Sequence, residues 1–163
     1  MVSTDEKSGI QALQRAAADL PLSDQYPRKR ECNYLRHGTQ TLIGGLALAS
    51  GQVYAQIGET RTEADYAAFI RYVVEEEQDP QRCFVFTADQ LNTHKSATLV
   101  RLVAELNGDT TTELGVKGKS GVLKNMPTRM QYLERVADEV ATAAGPRCRR
   151  RRVRFVFTPK HCS

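Results

Sequence analysis

Residues 83–88 read Cys-Phe-Val-Phe-Thr-Ala, a nearly continuous apolar run rich in strand-forming side chains, and a stretch with helical spacing stands on either side of it. A strand that is apolar on both sides of its pleat needs cover on both faces, so the run predicts an interior strand of a sheet carrying helices. Upstream, Thr62-Glu63-Ala64-Asp65 places a hydroxyl three residues before an acid, an arrangement that caps a helix. Tyr66, Phe69, Ile70, Val73 and Val74 then share one face. That helix has to stop before Pro80. Downstream, a second amphipathic helix over 96–106 turns Leu99, Leu102, Val103 and Leu106 inward.

The remaining pattern adds strands. Ser50-Gly51 separates two strand-like runs, 41–49 and 52–59, and predicts a β-hairpin. Val2-Ser3-Thr4 reads as the tail of a first strand, and VRFVFT at 153–158 as a last one closed by Pro159. Between them a third helix is expected from near Thr128, with Gln131 in its cap and Leu133, Val136, Ala137 and Val140 on one stripe, ending before Gly145-Pro146. A hairpin beside strands joined by helices makes a mixed α/β sheet, for which a ribonuclease H-like arrangement is one candidate among several three-layer folds. With 163 residues the chain suits a single domain, burying about 70% of its extended surface.

With 40% hydrophobic and 26% charged residues, the composition is that of an ordinary globular protein. The net charge of +4 is a mild bias towards polyanions, and its distribution is uneven. Six arginines lie between Arg147 and Arg154, a second basic cluster is Arg28-Lys29-Arg30, and 115–125 is a glycine and lysine loop. Such runs serve either as solvated surface or as nucleic-acid contacts, and charge density alone does not decide between them. Gly118-Lys119-Ser120 is no phosphate-binding loop, because the position that should hold its first glycine is Glu113. Cys32, Cys83, Cys148 and Cys162 are too scattered for a zinc site or a disulfide scaffold, so reduced thiols in a cytoplasmic protein are the expectation. The longest apolar stretch, 42–49, is far too short to cross a bilayer, and the chain shows no signal peptide.

Asp89 ends the apolar run, and ligand sites of open sheets lie beyond the carboxyl ends of strands. Asp5, directly after Val2-Ser3-Thr4, is its natural partner. If the two strands are parallel neighbours, their ends lie about 5 Å apart and two carboxylates can share a hard cation. Read from spacing alone, both acids are equally helix caps or turn acids. His94, five residues beyond Asp89, can orient a carboxylate, a water or a phosphate, or be merely hydrogen-bonded, and the same holds for His37 and His161. No Ser-His-Asp spacing is present and nothing points to a nucleotide cofactor.

TDEKSGIQALQR, YLRHGTQTLIGGLALASGQVYAQ, ADQLNTHKS, LGVKGKSGVLKNMPTR and FTPKHCS, in this order, resemble the catalytic domain of bacterial insertion-sequence transposases of the DDE superfamily, the branch related to mariner elements. The resemblance covers nearly the whole chain. It implies a ribonuclease H-like mixed five-stranded sheet with flanking helices. It also implies Asp5 and Asp89 as catalytic carboxylates and metal ligands for Mg2+ or Mn2+, with Glu6 and His94 beside them rather than on the metal. Asp89 to His94 matches the family's Asp-Asn-x-x-x-His with Gln90 in place of Asn. DNA, as element ends and target, is the implied partner. Arg149, Arg150, Arg151, Arg152, Lys117 and Lys119 are its expected contacts, and a second copy or a full-length transposase is a possible pairing partner. No membrane is implied.

Three departures qualify the resemblance. The family's third acid, a Glu, lies beyond Pro-Lys-His-Cys-Ser, where this sequence ends at Ser163; the helix-turn-helix region that precedes the domain is not included; and the link from Tyr132 to Arg154 is longer than usual. The domain is therefore expected to be incomplete at both ends and, with two assigned carboxylates, inactive or nearly so in DNA strand cleavage and strand transfer. The alternative is a remnant that binds DNA, or pairs with a transposase, without catalysis.

Overall fold

Phe84, Phe86 and Ala88 are buried, whereas Val85 and Thr87 between them are half-buried, so the interior strand β4 (Phe84–Ala88) is sealed on one face and thinly covered on the other. The computed structural model describes residues 1–79, 81–110, 112–117, 123, 129–142 and 145–159. Its elements are β1 (Val2–Arg15), β2 (Tyr34–Ala47), β3 (Val53–Gly58), α1 (Glu63–Glu75), β4, a 3-10 turn (Thr93–Lys95), α2 (Ala97–Asn107), α3 (Arg129–Glu134), β5 (Ala137–Thr142), β6 (Gly145–Arg150) and β7 (Val153–Phe157). Among the described residues the full cover expected for β4 is not found, because the described helices pack on one side. On the other, Leu46, Val53 and Val156 are exposed.

Five strands form one sheet in the order β3-β2-β1-β4-β7. β1 pairs with β2, and β2 with β3, antiparallel, while β1 with β4 and β4 with β7 are parallel. This is the ribonuclease H-like arrangement. The order reverses beside β1, whose neighbours are the hairpin on one side and the parallel strands on the other. Such a reversal opens a crevice at the strand ends.

Register explains the single core. Val2 faces Ala47 and Phe86, and Phe86 faces Phe155, so the buried residues of four strands fall on one face. Tyr66, Phe69, Ile70, Val73 and Val74 of α1, and Leu99, Leu102 and Val103 of α2, close over it as the helical spacing predicts, while Leu106 is only partly buried and Val100 joins the core in addition. Gly45 lets α1 approach closely, since a Cβ there would lie 3.2 Å from the Phe69 ring. Asn107, buried at the end of α2, fixes the start of β7: its amide donates to the Val153 carbonyl at 2.9 Å and accepts from the Val153 N–H at 2.9 Å. Gly108 then ends α2 in the left-handed conformation, φ 64°. Among the described residues no helix is long and apolar enough to cross a membrane.

The capping arrangement of α1 is present in both directions: the Asp65 N–H donates to Thr62 Oγ1 and the Thr62 N–H to Asp65 Oδ2. The Thr60 hydroxyl, with the Thr62 N–H and hydroxyl, holds the Asp65 carboxyl below its ordinary pKa. A lowered carboxyl stabilises the fold above its unfolded pKa, near 4, and that support fades as pH falls through the folded value. Thr62→Ala is therefore expected to cost about 1 kcal/mol in thermal unfolding at pH 7. The cost should shrink in acid, where Asp65 no longer answers the cap.

Two expectations are corrected. β1 does not end near Thr4 but continues to Arg15, pairing with the first half of β2 as a solvated two-stranded ribbon. Both faces of the ribbon are wet, so its sequence lacks the apolar alternation that marks a half-buried strand. Register shifts break the pairing between Lys7 and Ile10, where Gly9 takes φ 72°. The third helix is the second correction: α3 stops at Glu134, and Ala137 and Val140 lie in a β5–β6 hairpin pairing Thr142 with Gly145 and Ala137 with Arg150.

Candidate functional site

β1 and β4 align Ser3 with Thr87, and the same offset carried two residues onward sets Asp5 level with Asp89. Alternation puts Ser3 and Asp5 on the open side of the sheet, since Val2 and Thr4, which alternate with them, are buried. Asp5 and Asp89 line one cleft of about 240 Å3, with Ser3, Thr4, Thr87, Ala88 and Thr158. The ends of β4 and β7 that frame it are tied together. The Thr158 N–H donates to the Ala88 carbonyl at 2.9 Å, and the Gln90 side chain to the Thr158 carbonyl at 3.1 Å.

Glu6, next in β1, takes the other side. Its side chain is only 3% exposed and reaches the His94 imidazole, with Oε1 3.3 Å from Nε2. His94 is fully buried, and its Nδ1 lies 2.7 Å from Asp89 Oδ1. A carboxylate only accepts, so Nδ1–H donates to Asp89. The Leu91 N–H donates to the same oxygen at 2.9 Å. His94 thus links one acid in the core to one at the cleft. This arrangement keeps Glu6 out of the cleft and makes it unsuited to replace a third cleft carboxylate.

Helical spacing assigns Tyr66 only to the core. Its ring packs on the imidazole at 4.1 Å between centroids, and its hydroxyl lies 2.8 Å from Thr4 Oγ1, which in turn donates to the Thr87 carbonyl at 3.2 Å. Burial pushes the phenol pKa well above its ordinary value. The available signal was its hydroxyl on an otherwise apolar stripe, because a buried tyrosine hydroxyl needs a partner. His37 has no part in the site: it is exposed on the ribbon beside Gln14, at 2.7 Å.

The basic residues divide. Arg150 is exposed and Arg152 half-buried, whereas the Arg149 side chain and Lys119 lie outside the described residues, as does His161. Lys117 is exposed and paired with Glu63. Arg151 corrects the expectation of a surface contact, being 3% exposed. Its guanidinium lies over the Tyr132 ring at 4.1 Å, donates to the Tyr132 carbonyl at 2.7 Å and stands 3.5 Å from Asp109. Such an arginine is part of the core and cannot meet a phosphate. Cys32 and Cys83 are exposed free thiols.

The cleft offers carboxylate and hydroxyl oxygens and no sulfur or imidazole nitrogen, a donor set suited to a hard divalent cation. The Thr87 hydroxyl is buried with no hydrogen-bond partner among the described residues. No group of three His, Cys, Asp or Glu able to hold a metal occurs among the described residues. The fit is therefore to a cation that takes two protein carboxylates and fills its shell with water and phosphate oxygens, as Mg2+ commonly does.

A family model described as DDE superfamily endonuclease matches residues 1–163. No match is found among the curated proteins. Among solved structures, the chain is similar to the Mos1 mariner paired end complex with Mn, at 20% identity and a TM-score of 0.42. That match covers 65% of this chain and 33% of the other, so this chain spans about a third of its length.

Proposed function

We propose that this chain, which belongs to the DDE superfamily of endonucleases, supplies Asp5 and Asp89 as the carboxylate pair of a transposase catalytic domain that cleaves DNA and transfers strands of an insertion sequence. The observation that carries this reading is their shared cleft at the point of strand-order reversal. Asp5 and Asp89 would hold Mg2+ or Mn2+ there, and a bound divalent cation supplies charge stabilisation at phosphate oxygens and an activated water. Asp5 contributes from the middle of a paired strand, so backbone pairing sets its position. The exposed Asp5 and Asp89 carboxylates leave the cleft open to a phosphodiester from solvent. Glu6 and His94 stand behind the pair, and exposed Ser3 offers a hydroxyl to waters or phosphate oxygens. DNA is the partner under this reading, met in the cytoplasm, with two copies or one copy and a full-length transposase pairing on it.

With two carboxylates assigned, turnover is expected to be slow or absent, so cation binding is the more direct measurement. Mn2+ titrated into the protein and followed by electron paramagnetic resonance should give a site that Asp5→Asn and Asp89→Asn each weaken by at least about tenfold. Each substitution removes an ionic ligand, at a cost of more than about 1.4 kcal/mol. Any nicking of supercoiled DNA should require the metal and vanish in Asp89→Asn. A site that ignores both substitutions refutes the assignment. The second reading, DNA binding without catalysis, is favoured by exposed Arg150 and by the small ligand set. It predicts salt-sensitive binding to DNA that both Asn variants retain.

A further inference from the structure

We infer that Glu6 and His94 form a buried brace that fixes the Asp89 carboxylate for cation binding, so that an acid on the core side of the sheet sets the affinity of the cleft on its open side. The inference rests on the proposed role of Asp5 and Asp89.

Asp89 needs such help. It follows the last residue of β4, beyond the ladder that fixes Asp5, and its side chain is 58% exposed. An exposed aspartate beyond a strand end samples several rotamers, and a ligand that must first be ordered binds more weakly. Both hydrogen bonds to the carboxylate fall on Oδ1, from His94 Nδ1 at 2.7 Å and the Leu91 N–H at 2.9 Å. They leave Oδ2 for a ligand in the cleft.

The imidazole is itself held at three places: Asp89 at Nδ1, Glu6 Oε1 at Nε2 (3.3 Å), and the Tyr66 ring against its face (4.1 Å between centroids). Through its hydroxyl, Tyr66 is tied to Thr4, and Thr4 to the Thr87 carbonyl, so the clamp spans β1 and β4, two of the strands that frame the cleft.

Two buried acceptors facing each other would repel, so the Glu6–Nε2 contact holds one proton. Whichever atom carries it, with Nδ1–H given to Asp89, the pair has no net charge. The brace therefore acts on Asp89 by position and hydrogen bonding and not by adding negative charge near the cation. Glu6 is a positioning residue, even though it adjoins Asp5 in sequence.

Hydrogen-bond partners of metal ligands typically govern affinity by about 10–100-fold. Mn2+ affinity of the full chain, measured by paramagnetic resonance alongside thermal unfolding, tests the inference. His94→Ala is expected to weaken binding by about 10–100-fold. His94→Asn, whose amide nitrogen can occupy the place of Nδ1, should recover most of the loss. Glu6→Gln keeps a hydrogen bond to Nε2 and should stay within about threefold of the parent, whereas Glu6→Ala should lose about tenfold.

If Asp5→Asn and Asp89→Asn abolish binding while His94→Ala leaves it intact, the brace is wrong and the carboxylate pair stands. A collapse in Glu6→Gln equal to that in Asp5→Asn would make Glu6 a direct ligand, which also overturns it. If the two aspartate variants bind as the parent does, the site assignment fails and the brace falls with it. Should His94→Ala not fold, His94→Asn and the two Glu6 variants decide: parent-like affinity in Glu6→Ala is then the refuting result.

Discussion

Replacing Arg151 by alanine should lower stability by about 3–5 kcal/mol, read from urea unfolding at neutral pH, because it removes one member of a buried ion pair. Asp109, 3.5 Å from the guanidinium, keeps the Tyr132 hydroxyl at 2.7 Å and the Thr112 N–H at 3.0 Å, which places the cost at the lower end of that range. Loss of the stacked contact over Tyr132 and of the 2.7 Å bond to its carbonyl adds to it. Lysine restores charge but neither the planar stack nor the fork of donors, so Arg151→Lys should fall between alanine and the parent. Arg150→Ala, one residue earlier and exposed, should change stability by no more than about 0.5 kcal/mol. If the chain binds DNA, Arg150→Ala should instead reduce the slope of log affinity against log salt by about one unit. Equal stability losses in Arg150→Ala and Arg151→Ala would show that the buried and exposed roles are wrongly divided.

That contrast shows what charge density conceals. Two adjacent arginines read alike in a run, yet one lies over a tyrosine in the core and the other faces water. Patterns that encode burial directly are easier to read. The stripe of α1 and its Thr62 to Asp65 cap and the Leu99 to Val103 face of α2 stand where periodicity puts them, and the Phe84 to Ala88 strand stands where its apolar run puts it, though with one face sealed instead of two. The β5–β6 hairpin is misread because Leu133, Val136, Ala137 and Val140 satisfy a helical period, and Gly145-Pro146 reads equally as a helix stop or as the start of the returning strand. In the candidate site, Asp5 and Asp89 each follow strand-forming residues, which is what singles them out in the sequence, and the structure brings both to one cleft. The opposite sense of Glu6 follows from simple alternation, but only once β1 is known to run on past Thr4. The ribbon that extends it has no buried face to announce it. Tyr66 is hidden for the converse reason: it satisfies the apolar stripe so well that its hydroxyl goes unasked.

Phe86→Ala should cost about 3–5 kcal/mol, a large part of the 5–15 kcal/mol that usually separates folded from unfolded chains. Phe86 is fully buried, with the Phe84 ring at 5.8 Å and the Phe155 ring at 5.3 Å, both stacked, so its removal strips packing from two neighbouring rings. The expected drop in Tm is on the order of 10 °C. Phe86→Leu keeps most of the volume and should cost less than about 1.5 kcal/mol. The position also bears on the site, because Phe86 is the register partner of both Val2 and Phe155 and lies three residues before Asp89. Loosening it relaxes the parallel pairing that sets Asp5 level with Asp89. If Asp5 and Asp89 hold a cation as proposed, the Mn2+ affinity of Phe86→Ala, at temperatures where it is still folded, should therefore fall below that of Phe86→Leu. Identical affinities would show that the carboxylate pair is positioned by its local backbone and not by the packed face beneath it.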